Sequence, residues 1–324
     1  MDKQAEKDRS DATTKELKVI AIKLPSDLQE RILAFPFLHA IRARYPAADL
    51  HLITPSANIE VLNLLPFTAY YHECNDDELR TVFDVHRYCA FAKIYNVDLY
   101  ISLTDSFPEA SLGLGLRAKT RVGFSDKWKK WVLTHSTTRP TGHHLVEDYF
   151  SLFKVLTGAD VDSKLKVTSR DLNPILKVWD SEPYLAINAS AALRLDLTKL
   201  ISLFDGQRIV LFSGEGKPEV NGHIDSLIKT LPKKNLYHNY APNSWIELAK
   251  MLAYSRGVVT HSGAVSALSA YTGSRTLVLY DQEDPQRSGP FYFLADVNIL
   301  VSKTAPFEAV EVFKRAQEFF NLLA

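Results

Sequence analysis

Short apolar runs separated by amphipathic stretches recur from Lys18 almost to the end of the chain, and this alternation restricts the fold more than any other feature. "KVIAIKL" reads as a buried strand, "ERILAFPFLHAIRARYP" as a helix in which Pro36 kinks the axis or sits near the start, and "LHLITP" as the next strand. The pattern repeats through "IEVLNLLP", "AYYHEC", "DELRTVFDVHRYCAFAKIY", "VDLYISLT", "PEASLGLGLRA", "TRVGFS" and a helical stretch from His144 to Leu156. Strands and helices alternating at these lengths form βαβ units, hence a parallel sheet covered on both faces. A polar stretch with two prolines, 161–183, interrupts the rhythm, and a second alternating set follows from Tyr184. The expectation is an α/β protein of two tandem Rossmann-like, doubly wound domains, 17–160 and 184–324, with a ligand cleft between their strand ends. Residues 1–16, charged and polar, read as a disordered tail, and 161–183 as a linker.

Composition narrows the function classes. Lys plus Arg and Asp plus Glu both number 38, so no whole-chain field favours nucleic acid. The two cysteines, Cys74 and Cys89, have neither metal-ligand spacing nor the look of a disulfide framework, which suits a reducing cytosol. The opening residues contain no apolar core of a signal peptide, and no segment is apolar for long enough to span a bilayer; a cytoplasmic location is expected.

Three strand-to-helix junctions of the second half carry the residue types of a nucleotide pocket. "NASAALR" contributes Asn188, Ser190 and Arg194; "FSGEGKPE" contributes Ser213, Gly214 and Glu215; "THSGA" contributes His261, Ser262 and Gly263. Small residues where a strand meets a helix let an anion approach backbone N–H groups at the positive end of the helix dipole. Arg194 would add a cation, and the polar side chains would accept hydrogen bonds from sugar hydroxyls. Close packing of helix on sheet explains the same small residues without any ligand. No G-x-x-x-x-G-K-[ST] occurs, which disfavours P-loop hydrolysis.

In the first half, Asp27 and Glu30 lie between the first strand and its helix, where a carboxylate can take a proton from an acceptor hydroxyl or simply cap the helix. "RAKTRVGFSDKWKKWVLTH" interleaves Arg117, Lys119, Arg121, Lys129 and Lys130 with Trp128 and Trp131, a composition suited to an anionic membrane surface or a phosphorylated glycolipid. A solvated hairpin with half-buried tryptophans accounts for it as well. His143-His144 reads as structural, since no further ligand stands at metal spacing.

In order along the chain, "KLPSDLQERILAFPFLHAIRARYP", "DSFPEASLGLGLRAKTRVGF", "HHLVEDYFSLFKVLTG" and "SWIELAKMLAYSRGVVTHSGAVSALSAYTGSRTLVLYDQEDPQRSGPF" resemble the landmarks of the heptosyltransferase-like glycosyltransferases, family 9, of the GT-B fold. The resemblance implies an inverting, metal-independent transfer with no bound cofactor. The donor would be a nucleotide-diphosphate sugar, an ADP-sugar first, and the acceptor a lipopolysaccharide core or related glycan or glycolipid. Where the family carries Gly-Asp in the first loop, with Asp as the base, this chain has Gln29-Glu30; where it carries Asn-Asp-Thr-Gly, this chain has His261-Ser262-Gly263-Ala264. Those replacements motivate a second expectation, a non-catalytic protein of the same fold that binds a glycan or a partner protein. An epimerase acting on a nucleotide sugar alone is a third.

Overall fold

The computed structural model describes residues 17–125, 128–172, 183–189, 197–204, 206–213, 218–231, 233–280, 284–291, 298–301, 314–319 and 321. Residues 1–16 and 173–182 lie outside this set. The chain divides into two compact units: one up to Ile59 and over Phe67–Lys166, the other Glu60–Pro66 with the chain from Val167. The excursion of Glu60–Pro66 into the second unit has no periodic signature in sequence. Within that unit Leu64 O accepts from Arg170 N at 2.7 Å, and the Tyr271 hydroxyl donates to Thr168 O at 3.1 Å.

The first unit holds β1 (Val19–Lys23), β2 (Asp49–Thr54), β3 (Tyr70–Glu73), β4 (Leu99–Ser102), β5 (Thr120–Phe124) and β6 (His135–Thr137), in the order β3-β2-β1-β4-β5-β6. The second holds β7 (Leu185–Asn188), β8 (Arg208–Phe212), β9 (Leu236–Tyr240), β10 (Gly257–His261), β11 (Thr276–Leu279) and β12 (Asn298–Val301), in the order β12-β11-β10-β7-β8-β9. Every pairing is parallel. Counted within each unit, both orders are 3-2-1-4-5-6, so each sheet reverses direction once, between β1 and β4 and between β7 and β10. Central strands covered on both faces are apolar throughout: Ile20, Ala21 and Ile22 are fully buried, as are Val258 and Val259. Burying an isoleucine side chain completely contributes about 1.5–3 kcal/mol.

Local chemistry explains where the elements differ from the expectation. The long first helix is two, Leu28–Leu33 and Phe35–Arg44, meeting at Ala34, with Pro36 in the opening turn of the second, where its missing N–H has no partner to lose. "IEVLNL" forms a 3-10 turn rather than an α-helix. The edge strand β6 is three residues long, too short to show a period. His144 is an N-cap, its Nδ1 accepting from Val146 N at 3.2 Å, which agrees with a structural role for it. In the closing stretch residues 314–319 are helical, and Ala316 and Phe319 join the buried core of the second unit.

The helix Phe107–Gly115 lies tight against β4 and β5. A Cβ at Gly113 would stand 2.6 Å from Tyr100 Cδ1 and 2.9 Å from Arg121 Cγ, so no larger residue fits without moving the helix. The buried Tyr100 hydroxyl donates to Glu109 O, fixing the same helix from below. That seating decides where the Glu109 side chain points.

Two histidines of the first unit give a pH dependence with a definite sign. His39, buried against Phe67 with ring centroids 5.3 Å apart, and His72, paired with His51 at 2.8 Å, are both pushed from 6.5 down to about 4, chiefly by burial. Proximity of His51 lowers His72 further. The unfolded chain therefore takes up more protons than the folded one between about pH 6.5 and pH 4, and stability falls as pH is lowered through that window. A thermal midpoint that declines from pH 7 to pH 4, with a shallower slope in the His39→Gln, His72→Gln double variant, is the expected outcome. Equal slopes in the two proteins would assign the acid loss to other groups.

Candidate functional site

Each sheet reverses its strand order once, and ligands of open α/β sheets bind beyond the C-terminal strand ends at such a point. In the first unit this point holds a cavity of about 440 Å³. Pro25 and Ser26, after β1, form one side; Leu103, Thr104, Asp105 and Ser106, after β4, form the other. Glu30, Asp76, Glu109 and Arg139 project into it, and Leu79 supplies apolar wall.

The two carboxylates singled out in the first loop take different places. Asp27 is the N-cap of the helix Leu28–Leu33, its Oδ1 accepting from Glu30 N at 2.9 Å, and it is absent from the cavity wall. Glu30, one turn on, lines the cavity. Capping thus fixes the turn that presents Glu30. The loop itself is shaped from behind by Arg31, a buried side chain that donates to Pro25 O, Ser26 O and Ala57 O at 3.2, 2.9 and 2.8 Å.

Sequence reading missed the rest of this wall. Lys23, the last residue of β1, is fully buried, with its Nζ 3.1 Å from Glu109 Oε1 and 3.3 Å from Leu24 O. Arg139 forms an ion pair with Asp105, stands 3.5 Å from Asp148 Oδ2 and covers the Phe124 ring at 4.6 Å. Ser26 donates its hydroxyl to Asp76. The missed signal was a lysine ending an otherwise apolar strand: such a charge needs a buried partner, and one must come from another element.

The residues of the basic stretch take different places. Arg117 and Lys119 precede β5 and so lie at the opposite end of the strands from the cavity, and Lys119 binds Asp98 at 2.6 Å. Arg121 donates to Val132 O at 2.7 Å and Ala118 O at 2.8 Å, holding its own hairpin together. Lys129 is buried, its Nζ 2.7 Å from Asp105 O behind the cavity wall. Lys130 is exposed, and Trp128 and Trp131 beside it are 75% and 83% exposed, unlike the half-buried tryptophans of the solvated-hairpin alternative.

In the second unit the reversal point is flanked by Asn188 and by the turn His261-Ser262-Gly263. Asn188 is buried and donates to Thr260 Oγ1 at 3.1 Å, tying β7 to β10 where the order reverses. One of its two amide N–H bonds thus joins the strands that flank the reversal point. Ser213 directly follows β8, with its hydroxyl buried and no hydrogen-bond partner among the described residues. Ser190, Arg194, Gly214 and Glu215 lie outside the described residues.

Gly263 explains why the smallest residue stands at the start of the helix Ala264–Tyr271. Its φ is +130°, a conformation that residues with a Cβ rarely adopt, whereas the space around it is open: an added Cβ would meet nothing nearer than His261 Cε1 at 3.9 Å. Gly263 is the N-cap and offers no side chain to the first-turn N–H groups. His261 bonds its own neighbour, with Nδ1 2.5 Å from Ser262 O. The geometry suits an anion approaching backbone donors. Gly263→Ala is expected to destabilise the protein by about 1–3 kcal/mol through backbone strain. A lowered urea midpoint reads this; an unchanged midpoint would mean that the turn relaxes to another angle without cost.

The family model of glycosyltransferase family 9 (heptosyltransferase) matches residues 91–315, more than two thirds of the chain. The chain belongs to glycosyltransferase family 9. Solved structures of the family share its fold along nearly its whole length. A family 9 glycosyltransferase from Veillonella parvula superposes with a TM-score of 0.76 at 16% identity, covering 94% of this chain and 97% of that one. The ADP-heptose lipopolysaccharide heptosyltransferase II of E. coli gives 0.71 at 15% identity, with 95% and 98% covered. The E. coli heptosyltransferase WaaC, solved with ADP, gives 0.71 at 14% identity, with 94% and 100% covered. None of the curated proteins compared with the chain matches it. This family 9 member is thus a GT-B-fold glycosyltransferase by family and architecture, and among its described residues no helix is long and apolar enough to cross a membrane.

Proposed function

We propose that this protein transfers a sugar, a heptose first, from a nucleotide-diphosphate sugar to a hydroxyl of a lipopolysaccharide-core or related glycan. The observation that carries the reading is that the reversal point of the first unit holds a cavity lined by Glu30 and other polar side chains, while that of the second unit carries a helix start with no side-chain cap at Gly263. Glu30 takes the proton of the acceptor hydroxyl as its oxygen attacks the anomeric carbon. The bond from that carbon to the diphosphate oxygen breaks, and the diphosphate leaves with the electron pair. First-turn N–H groups beyond Gly263 stabilise the charge on the departing diphosphate, a role that does not call on a divalent ion. Attack from the face opposite the leaving group inverts the anomeric configuration. WaaC, solved with ADP, supports an ADP-sugar as the donor.

The test is release of nucleoside diphosphate from an ADP-sugar with and without a panel of glycan acceptors that includes truncated lipopolysaccharide core. Acceptor-dependent release of ADP supports the reading. A changed sugar without acceptor would indicate an epimerase. Nucleotide binding without any turnover would favour the non-catalytic reading, which the loss of the family's acidic donor-loop residue at Ser262-Gly263 motivates.

The acceptor also bears on location. Trp128, Trp131 and Lys130 together suit peripheral contact with an anionic membrane face from the cytoplasmic side. The Trp128→Ser, Trp131→Ser variant is expected to lose at least half of its co-sedimentation with vesicles containing phosphatidylglycerol, roughly matching the removal of two interfacial aromatic anchors. Equal co-sedimentation of variant and parent would remove the tryptophans from any membrane role.

A further inference from the structure

We propose that the outer face of the helix Val82–Phe91, with the helix Phe107–Gly115 and the turn Lys129–Trp131 beside it, docks on an anionic lipid bilayer, and that the acceptor enters the cavity of the first unit while still held in that bilayer. The clause about the acceptor rests on the reading of this cavity as the acceptor site; the surface itself does not.

The unit's exposed apolar side chains are gathered on one layer. Every exposed large apolar side chain described in the first unit, Tyr70 apart, belongs to these three elements or lies within a few residues of them. The helix Phe107–Gly115 packs against the other two, so the three form one layer on one face of the sheet. The helices Phe35–Arg44 and Leu145–Thr157, which pack on each other across the opposite face, contribute none. Scattered singly such residues need no explanation, but gathered on one layer they mark a contact surface.

The helix Val82–Phe91 is apolar on both sides. Val85, Tyr88, Cys89 and Ala92 face the core. Phe83, Arg87 and Phe91 recur every four residues on the outer side, with His86 and Ala90 between them, and the two phenylalanines are 86% and 77% exposed. The core side and the Thr81–Asp84 capping box define this helix without either phenylalanine. Charge decides what covers the layer. Arg80, Arg87, Lys93, Arg117 and Lys130 are exposed on it or at its ends, whereas the acids of its two helices are Asp84, paired with Arg87 at 3.0 Å, and the buried Glu109. Asp76, Asp77 and Glu78 precede it, on the 3-10 turn that meets the cavity wall. Aromatic side chains set among cations suit the headgroup region of an anionic bilayer.

Both helices begin at the cavity. Leu79, on its wall, stands three residues before Val82, and Ser106, also on the wall, caps the helix Phe107–Gly115. A bilayer under this layer therefore lies beside the cavity mouth, where the glycan of a membrane-held acceptor extends.

The experiment is co-sedimentation of the full chain with vesicles of phosphatidylcholine, alone or mixed with phosphatidylglycerol, in the parent and in Phe83→Ser, Phe91→Ser, which keeps both tryptophans. Because both side chains are exposed, the variant is expected to keep the parent's thermal midpoint. Binding of the parent to the anionic vesicles that falls with salt, and that the variant weakens roughly tenfold or more, supports the proposal. Equal binding by parent and variant overturns it, and so does a parent that binds neither vesicle. Self-association that the variant abolishes, without vesicle binding, would assign the face to a second copy of the chain and overturn it too. ADP release tests the acceptor clause: the variant is expected to lose turnover of a truncated-core glycolipid held in vesicles and to keep that of the free core oligosaccharide. Equal turnover of the vesicle-held glycolipid by parent and variant overturns this clause. Anionic-vesicle binding as expected, with no turnover of either acceptor by the parent, would remove the proposed transfer and leave the docking surface standing.

Discussion

Replacing Glu30 with Gln is expected to lower turnover by a factor of about 10²–10⁴, the range that a positioned general base contributes, with the KM for the nucleotide sugar nearly unchanged. The substitution keeps the shape of the side chain and removes its proton affinity. The capping contact of this turn is made by the Glu30 backbone N–H on Asp27 and is kept in the variant. Asp27→Asn retains a capping oxygen and is expected to turn over nearly normally, whereas Asp27→Ala loses about 1 kcal/mol of stability with the cap. Near-normal turnover in Glu30→Gln would exclude Glu30 as the base. A large loss in Asp27→Asn alone would transfer the role to Asp27.

The second large effect concerns stability. Glu109→Ala strands the Lys23 ammonium in the interior, since Lys23 is fully buried and Glu109 Oε1 is its carboxylate partner at 3.1 Å. Breaking a buried pair by removing one partner costs about 3–5 kcal/mol, because the remaining charge has neither water nor counter-charge. The double variant Lys23→Met, Glu109→Gln removes both charges and is expected to recover most of that loss. Urea unfolding of the single and double variants separates the cases: a single variant as stable as the parent would show that Lys23 reaches water or sheds its proton at little cost.

Much of this architecture was legible in the sequence, and for identifiable reasons. Strand and helix periods differ, and the central strands of a doubly wound sheet are apolar on both faces, so "KVIAIKL" and "GVVTH" stand out wherever they occur. The split of the first helix at Ala34 was already implicit in Pro36. The Ser-Gly turn at Gly263 was legible because a conformational requirement falls on one residue type. Long-range pairings were not. Nothing in the spacing of Lys23, Glu109, Arg139 and Asp148 announces that they pair on and behind one wall, because each lies on a different element and only the strand order brings them together. The basic stretch misled for the same reason: neighbours in sequence lie at opposite ends of a strand, Lys119 on Asp98 and Lys129 behind Asp105. Buried cations look like surface cations until their partners are known.

The most direct test of the donor reading is thermal unfolding of the full chain with ADP, UDP, GDP, CDP and CMP, in the parent protein and in Gly263→Val. A nucleotide at about 100 times its dissociation constant adds about 2.7 kcal/mol, which raises the midpoint of a domain this size by about 2–4 °C. The expected result is a shift with ADP that is lost in Gly263→Val, which closes the helix start to the diphosphate. No shift with any nucleotide would contradict the account, leaving a family 9 fold that does not bind the leaving group of its proposed reaction.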